Sequence, residues 1–325
     1  MTAIVWLRRD LRVHDHPALD AALDRHERVV PVFCLDDRVL RGRHASGPRT
    51  QFLLECLSDL DASLRKRGSG LVLRHGPPER ELVQLARDTR AETLHFTSDV
   101  TPFARKRGAL VSDALSAAGV ESHAHPGLGV IDDIGAPRTQ SGKPYTVFTP
   151  FHRNWERQPR RAVLAAPREL APLPARVAKG RIPALAALGL EQEVRAPATG
   201  GESCGRERLA GFLTKDVRSY GQGRDALGED GTSRLSPYLH FGCVSARELE
   251  TRLGDGDGPE AFRRQLCWRD FYAYVLGHFP ANARHEFQER YRGTLKWSRA
   301  QTRFEAWCEG RTGYPAVDAG MRQLK

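Results

Sequence analysis

The sequence predicts an α/β chain: a doubly wound, parallel five-stranded sheet first, then a long linker, then an all-helical region. Three observations predict it. Over residues 1–128, short apolar runs alternate with segments of helical period, the pattern of buried parallel strands joined by crossover helices. Between 129 and 200 the periodicity lapses and prolines crowd, at 137, 144, 150, 159, 167, 172, 174, 183 and 197. Past residue 200 no strand-like alternation appears, and apolar residues recur at spacings of three and four.

The strands are expected at 3–7, 29–35, 71–73, 93–96 and around Val120. Between them, Asp15 is placed as the N-cap of a helix that begins at Pro17 and buries Leu19, Ala22 and Leu23. A second helix follows Pro48, with Phe52, Leu53, Cys56, Leu57, Leu60 and Leu64 on one face. Leu82, Leu85 and Ala86, then Leu110, Val111, Ala114 and Leu115, repeat that spacing. The expected organisation is therefore an α/β domain over 1–128, an inter-domain linker over 129–200 and a helical domain over 201–325. Within the linker, 146–155 is apolar enough to pack locally. In the helical region Leu209, Phe212 and Leu213 form one apolar face, and Leu249 and Leu253 form another behind the N-cap Ser245. A long apolar segment after Pro259 carries Phe262, Leu266, Phe271 and Val275.

The 325 residues carry a net charge of +10. It divides as +2 over 1–128, +5 over 129–200 and +3 over 201–325, so half the excess lies in the linker. That balance favours a polyanionic partner without requiring one, since a solvated basic linker has the same composition. The six cysteines are scattered with no Cys-x2-Cys pair, a reduced, cytosolic pattern. His14-x-His16 and His123-x-His125 lack a third ligand nearby in sequence, so no metal site is expected. The first strand runs directly into Arg8-Arg9-Asp10, which leaves no secretory signal and no apolar run of membrane-spanning length. A soluble, cytoplasmic protein is expected. The same Arg8-Arg9-Asp10 stands where a nicotinamide enzyme places Gly-x-Gly-x-x-Gly. Arg8, Asp10, Asp36 and Asp99 fall near the carboxyl ends of strands, where a ligand of an α/β sheet sits, although polar strand ends are also ordinary.

Chemistry concentrates after residue 220. Residues 231–242 read Gly-Thr-Ser-Arg-Leu-Ser-Pro-Tyr-Leu-His-Phe-Gly, a hydroxyl-rich turn feeding a helix through Pro237. Alone, these residues suit either a capped helix or a phosphate cradle. On one helix spanning 262–272, Gln265, Trp268, Arg269 and Tyr272 share a face. A face of amide, indole, guanidinium and phenol suits a flat hydrogen-bonding guest such as a nucleobase, and equally a half-exposed amphipathic surface.

Tyr220-x3-Arg224, the 231–242 run, Gln265-x2-Trp-Arg-Asp-Phe-Tyr272, Thr-Gly-Tyr-Pro-x-Val-Asp-Ala-Gly-Met-Arg-Gln-Leu at 312–324 and Val-Trp-Leu-Arg-Arg-Asp-Leu-Arg at 5–12 occur in an order and spacing that resemble the DNA photolyase/cryptochrome family. The resemblance implies that 201–325 is the N-terminal part of a helical FAD-binding domain, and that 1–128 is the antenna module, which in some members holds a folate or deazaflavin. It implies FAD contacts from Tyr220, Thr232, Ser233, Arg234, Leu235 and Ser236, with Phe262 beside the cofactor. Contacts to DNA containing pyrimidine dimers fall to Arg224, Gln265, Trp268, Arg269 and Tyr272, and Trp297 matches the surface end of an electron-transfer chain. The implied activity is that of a deoxyribodipyrimidine photo-lyase, a flavoprotein acting as a monomer on cyclobutane dimers under blue light. A cryptochrome photoreceptor and an inactive remnant are the alternatives. Family members often carry Glu where this chain has Gln265, and they continue beyond the point where it ends at Lys325. A product ending there is expected to retain FAD weakly and to repair nothing, and Trp297 is then a core residue.

Overall fold

Apolar strands flanked by amphipathic helices give five parallel strands: β1 (Thr2–Leu7), β2 (Arg28–Leu35), β3 (Val72–His75), β4 (Thr93–Thr97) and β5 (Glu121–His125). They pair in the order β3-β2-β1-β4-β5, every neighbour parallel. That order reverses at β1, so the topological switch point lies beside it. A computed structural model describes residues 1–195 and 197–324. The crossovers are α1 (Pro17–Arg25), α2 (Asp37–Leu40), α3 (Gly47–Arg65), α4 (Pro78–Thr89) and α5 (Pro102–Ser116). After the sheet come α6 (Phe148–Trp155), α7 (Glu202–Gly211), α8 (Tyr220–Gly223), α9 (Ser236–Phe241), α10 (Ala246–Arg252) and α11 (Asp257–His278). Two details differ from expectation. Leu110 of α5 is exposed, and Ala104 and Gly108 take the inner face instead. The N-cap of α1 is His16, whose ring accepts from the Leu19 amide at 3.1 Å, and not Asp15.

The period of two along β1 divides the core. Ile4 and Trp6 face α4 and α5 with Val30, Val32, Leu82, Leu85, Val111 and Leu115. Ala3, Val5 and Leu7 face the other way, into a second cluster that is continuous with Phe151 and Trp155 of α6, Leu209 of α7, Phe241 of α9 and Phe262 of α11. The face of the sheet that carries Ala3, Val5 and Leu7 therefore shares one hydrophobic core with the helices from α6 to α11. The sheet and these helices form one compact unit, Met1–Glu193 with Pro197–Pro280. The Sγ atoms of Cys56 on α3 and Cys243 after α9 meet at 3.3 Å inside that core, both as free thiols.

Asp15 is not a cap because it is the centre of a buried junction. Its backbone is left-handed, with φ 49°. Its carboxylate takes both arms of the Arg161 guanidinium, the Ser245 hydroxyl and, at 3.1 Å, the Leu164 amide. Burial alone raises its pKa, but those hydrogen bonds outweigh burial and hold it below the usual carboxylate range. Arg12, 2% exposed, donates to the carbonyls of Asp15 at 2.8 Å, Gly242 at 2.9 Å and Gly127 at 3.0 Å. Glu202 accepts from the Val13 and His14 amides at 2.8 and 3.1 Å. Asp10 is also consumed internally, by the Arg8 amide and the Thr97 hydroxyl, each at 2.6 Å.

The second unit consists mainly of residues 281–324 and contains α12 (Gln301–Cys308) and α13 (Pro315–Leu324). In it Asp318 of the 312–324 signature accepts from the Thr312 amide at 2.7 Å and the Gly313 amide at 3.0 Å, tying the turn to α13.

Two measurements follow. Arg12→Leu strands the carbonyls of Asp15, Gly127 and Gly242 in a dry site, so chemical unfolding is expected to show a loss of about 3 kcal/mol or more. Burial pushes the His95 pKa down to about 4, from an ordinary 6.5. The folded chain then binds fewer protons than the unfolded one between those values, so stability is expected to fall as pH drops from about 6.5 to 4. His95→Asn is expected to flatten that slope in a pH series of thermal melts.

Candidate functional site

The site is assembled around α8. Tyr220 opens that helix, buried, with its ring edge-on to Phe262 of α11 at 4.9 Å and to Phe212 at 5.8 Å. Burial raises its phenol pKa. One turn on, the backbone of Gly223 meets the backbone of Gly231, so closely that a Cβ on Gly231 would lie 2.2 Å from the Gly223 carbonyl oxygen. This contact fastens the 231–236 turn to α8. Within the turn Arg234 has a left-handed backbone (φ 55°) and pairs with Asp230 at 2.8 Å. Ser233 accepts from the Leu235 amide through its hydroxyl and from Arg208 Nε through its carbonyl. Leu235 is fully buried and anchors the turn from beneath. The hydroxyls of Thr232 and Ser236 are exposed and make no hydrogen bond among the described residues, and α9 begins without a side-chain cap.

On α11 the indole of Trp268 lies flat against Phe148 of α6, with centroids 3.7 Å apart and planes 3° from parallel. Gln265 is half-buried, and Tyr272, 5.5 Å from the indole, is 66% exposed. Arg269 donates to the carbonyls of Leu128 and Leu239. Burial lowers its pKa against the raising effect of Asp270. Arg224 keeps its Nε buried without a hydrogen bond, 3.5 Å from Asp225. Trp297 belongs to the second unit, lies outside any helix and is 78% exposed, so it is not the core residue expected from the sequence. The residue that sequence reasoning missed is Asp270. Fully buried, it accepts from the Val130 amide at 2.9 Å and Trp155 Nε1 at 3.0 Å, so it fixes both the linker and α6 to the site helix. Burial holds its pKa up. An acid inside the apolar stretch of α11 was the available signal.

Two cavities flank the sheet ends. The larger, about 510 Å³, lies between the 98–101 and 126–135 loops and α11, and takes in Arg9, Asp99, Arg269 and Tyr272 but not Gln265 or Trp268. The smaller, about 240 Å³, opens at the carboxyl ends of β1 and β2 between Trp6, Arg8, Asp36, Phe103 and Arg107. There the Arg8 guanidinium sits 4.6 Å from the centroid of Trp6, its pKa pulled down to about 10 by burial, and the buried Nε of Arg107 has no partner. Among the described residues one trio, His152, Glu156 and Glu260, brings ligand atoms within 4.8 Å of one another, but Arg263 already neutralises Glu260 at 2.7 Å.

A family model described as DNA photolyase matches residues 3–175, and one described as the FAD binding domain of DNA photolyase matches residues 262–325. The deoxyribodipyrimidine photo-lyase of Streptomyces griseus is 39% identical over 325 residues, covering 99% of this chain and 70% of its own length. The chain belongs to the DNA photolyase family. The cryptochrome DASH of Gloeobacter violaceus is 35% identical, with 99% of this chain and 68% of that protein covered. Among solved structures, a class III photolyase from Agrobacterium tumefaciens superposes with a TM-score of 0.89 at 29% identity, over 99% of this chain and 68% of that one. An archaeal photolyase from Sulfolobus tokodaii, solved with two FAD molecules, gives 0.84 at 29%, over 100% and 70%.

The residues present fit the family's cofactor. Thr232 and Ser236 offer hydroxyls that nothing in the described chain satisfies, the first amides of α9 lack a side-chain cap, and Tyr220 and Phe262 supply a packed aromatic wall. Because the turn depends on glycine-to-glycine contact, Gly231→Ala is expected to cost about 1–3 kcal/mol and lower the melting temperature. Gly228→Ala, whose added Cβ meets nothing within 4 Å, is expected to leave it unchanged.

Proposed function

We propose that this chain carries the cofactor- and lesion-binding residues of a light-driven DNA repair lyase that splits cyclobutane pyrimidine dimers. The carrying observation is the contact of Tyr220 with Phe262, one turn from Gln265 and two from Trp268 on the same helix. It sets the proposed flavin wall beside the proposed base platform. Thr232, Ser233, Arg234, Leu235 and Ser236 with Tyr220 and Phe262 would hold FAD. When bound, FAD supplies the photochemistry, an electron lent to the dimer under blue light and recovered after the ring opens.

The protein's own part is binding and orientation. Trp268 stacks on an extruded base, which a damaged pair gives up more cheaply than an intact one. Gln265 addresses the base edge through an amide that both donates and accepts. Tyr272 and Arg269 bound the face, Arg269 through its grip on the Leu128 and Leu239 carbonyls, and Arg224 meets a backbone phosphate. Trp297 is assigned to electron transfer towards the cofactor. The smaller cavity, with two arginines over Trp6 and an unpartnered Arg107 Nε, suits a planar, acidic antenna chromophore, a folate or deazaflavin. The division into 1–128, 129–200 and 201–325, action as a monomer and a cytoplasmic location complete this reading. No helix among the described residues is long and apolar enough to cross a membrane.

Cryptochrome DASH relatives at 35% identity make a photoreceptor the second reading. The test uses the protein expressed with any sequence that follows residue 325 in its gene. Blue-light loss of dimers from an oligonucleotide, abolished by Trp268→Ala, is expected. Flavin binding without dimer loss would favour the photoreceptor. Gln265→Glu is expected to tighten dimer binding several-fold, about 1 kcal/mol, by exchanging an amide for a charged acceptor.

A further inference from the structure

Trp268 is not a free platform. Phe148, 6% exposed, covers one indole face in a near-parallel stack at 3.7 Å. Phe271 meets both rings edge-on, at 5.6 Å to Trp268 and 5.7 Å to Phe148. The Arg264 guanidinium lies 5.0 Å from the Phe148 centroid. Two flat rings face to face are not the arrangement their quadrupoles prefer, so the stack is held by what surrounds it. α6 supplies the hold: Phe151 packs on Phe271 at 5.0 Å and on Tyr274 at 4.9 Å, and Trp155 is bonded to Asp270.

We propose that Phe148 is a positioning residue for the lesion site: it fixes the plane of Trp268, leaves a single indole face for stacking, and so sets the angle at which an extruded pyrimidine is received. This inference rests on the repair reading for the identity of the guest, but the fixing of the indole does not. Phe148 touches no guest itself. Its effect is to remove rotameric freedom from Trp268 before binding, so that the ordering cost is not met when the base arrives.

The test replaces Phe148 by Met, which keeps the volume but not the flat face, and by Tyr, which keeps both. Binding is measured in the dark, with a thymine-dimer oligonucleotide and its undamaged counterpart. Phe148→Met is expected to weaken dimer binding about five- to tenfold, the cost of ordering one large side chain, and to leave undamaged binding unchanged. Phe148→Tyr is expected to restore it. Fluorine NMR of 5-fluorotryptophan-labelled protein, with Trp268 assigned by Trp268→Phe, is expected to give one sharp line that broadens or splits in Phe148→Met. Equal dimer binding by wild type and Phe148→Met, in a protein whose Trp268→Ala variant loses dimer preference, would overturn the inference and leave the repair reading intact. If the wild type shows no dimer preference, the repair reading fails, and an unchanged Trp268 line in Phe148→Met would then overturn the inference separately.

Discussion

Everything else in this molecule depends on the short segment between β1 and α1 being an internal part rather than a surface loop. Six polar groups in it would be costly to bury alone, and each is matched: Arg8 and Asp10 to the end of β4, Arg12 to carbonyls from three separate stretches, Asp15 to Arg161 and Ser245, and the Val13 and His14 amides to Glu202. The Leu11 amide adds a backbone bond to the Phe241 carbonyl at 3.1 Å. At the end of α9, Gly242 adopts φ 71° so close to the segment that a Cβ would lie 2.0 Å from the Arg9 carbonyl oxygen. The sheet therefore does not merely precede the helices. It positions them.

That coupling explains how the candidate site is built. The 231–236 turn leads directly into α9, and α9 ends on Arg9 and Asp10. α11 is fixed from the opposite side by Asp270, which gathers Val130, Ile131 and Trp155. A site whose walls are both fastened to one core can hold a guest at a set angle, which chemistry by orientation requires.

Four strands were legible because buried parallel strands are short apolar runs, and they fell within a residue or two of where the pattern put them; the fifth was expected around Val120, whereas β5 starts just after it at Glu121 and is the polar run Glu-Ser-His-Ala-His. Ser245 as a cap was legible from its place before Leu249, and the structure shows its hydroxyl accepting from the Glu248 amide at 3.2 Å. Asp15 misled because an acid two residues before a proline has the composition of a cap, while its real partners, Arg161 and Ser245, lie 146 and 230 positions away. The shared face of Gln265, Trp268, Arg269 and Tyr272 followed from helical spacing. Phe148 against Trp268 could not follow, because a contact across 120 residues leaves no mark in local periodicity. The apolar stretch 146–155 was legible as locally packed, but not that its Phe151 and Trp155 enter the core shared with the sheet.

Native-state hydrogen exchange tests the central claim most directly. If the segment is an internal staple, the amides of Leu11, Val13, His14 and Asp15 open only when the β1 amides open, with one common free energy. Exchange of those four at the rate of a fraying loop, while β1 stays protected, would contradict it.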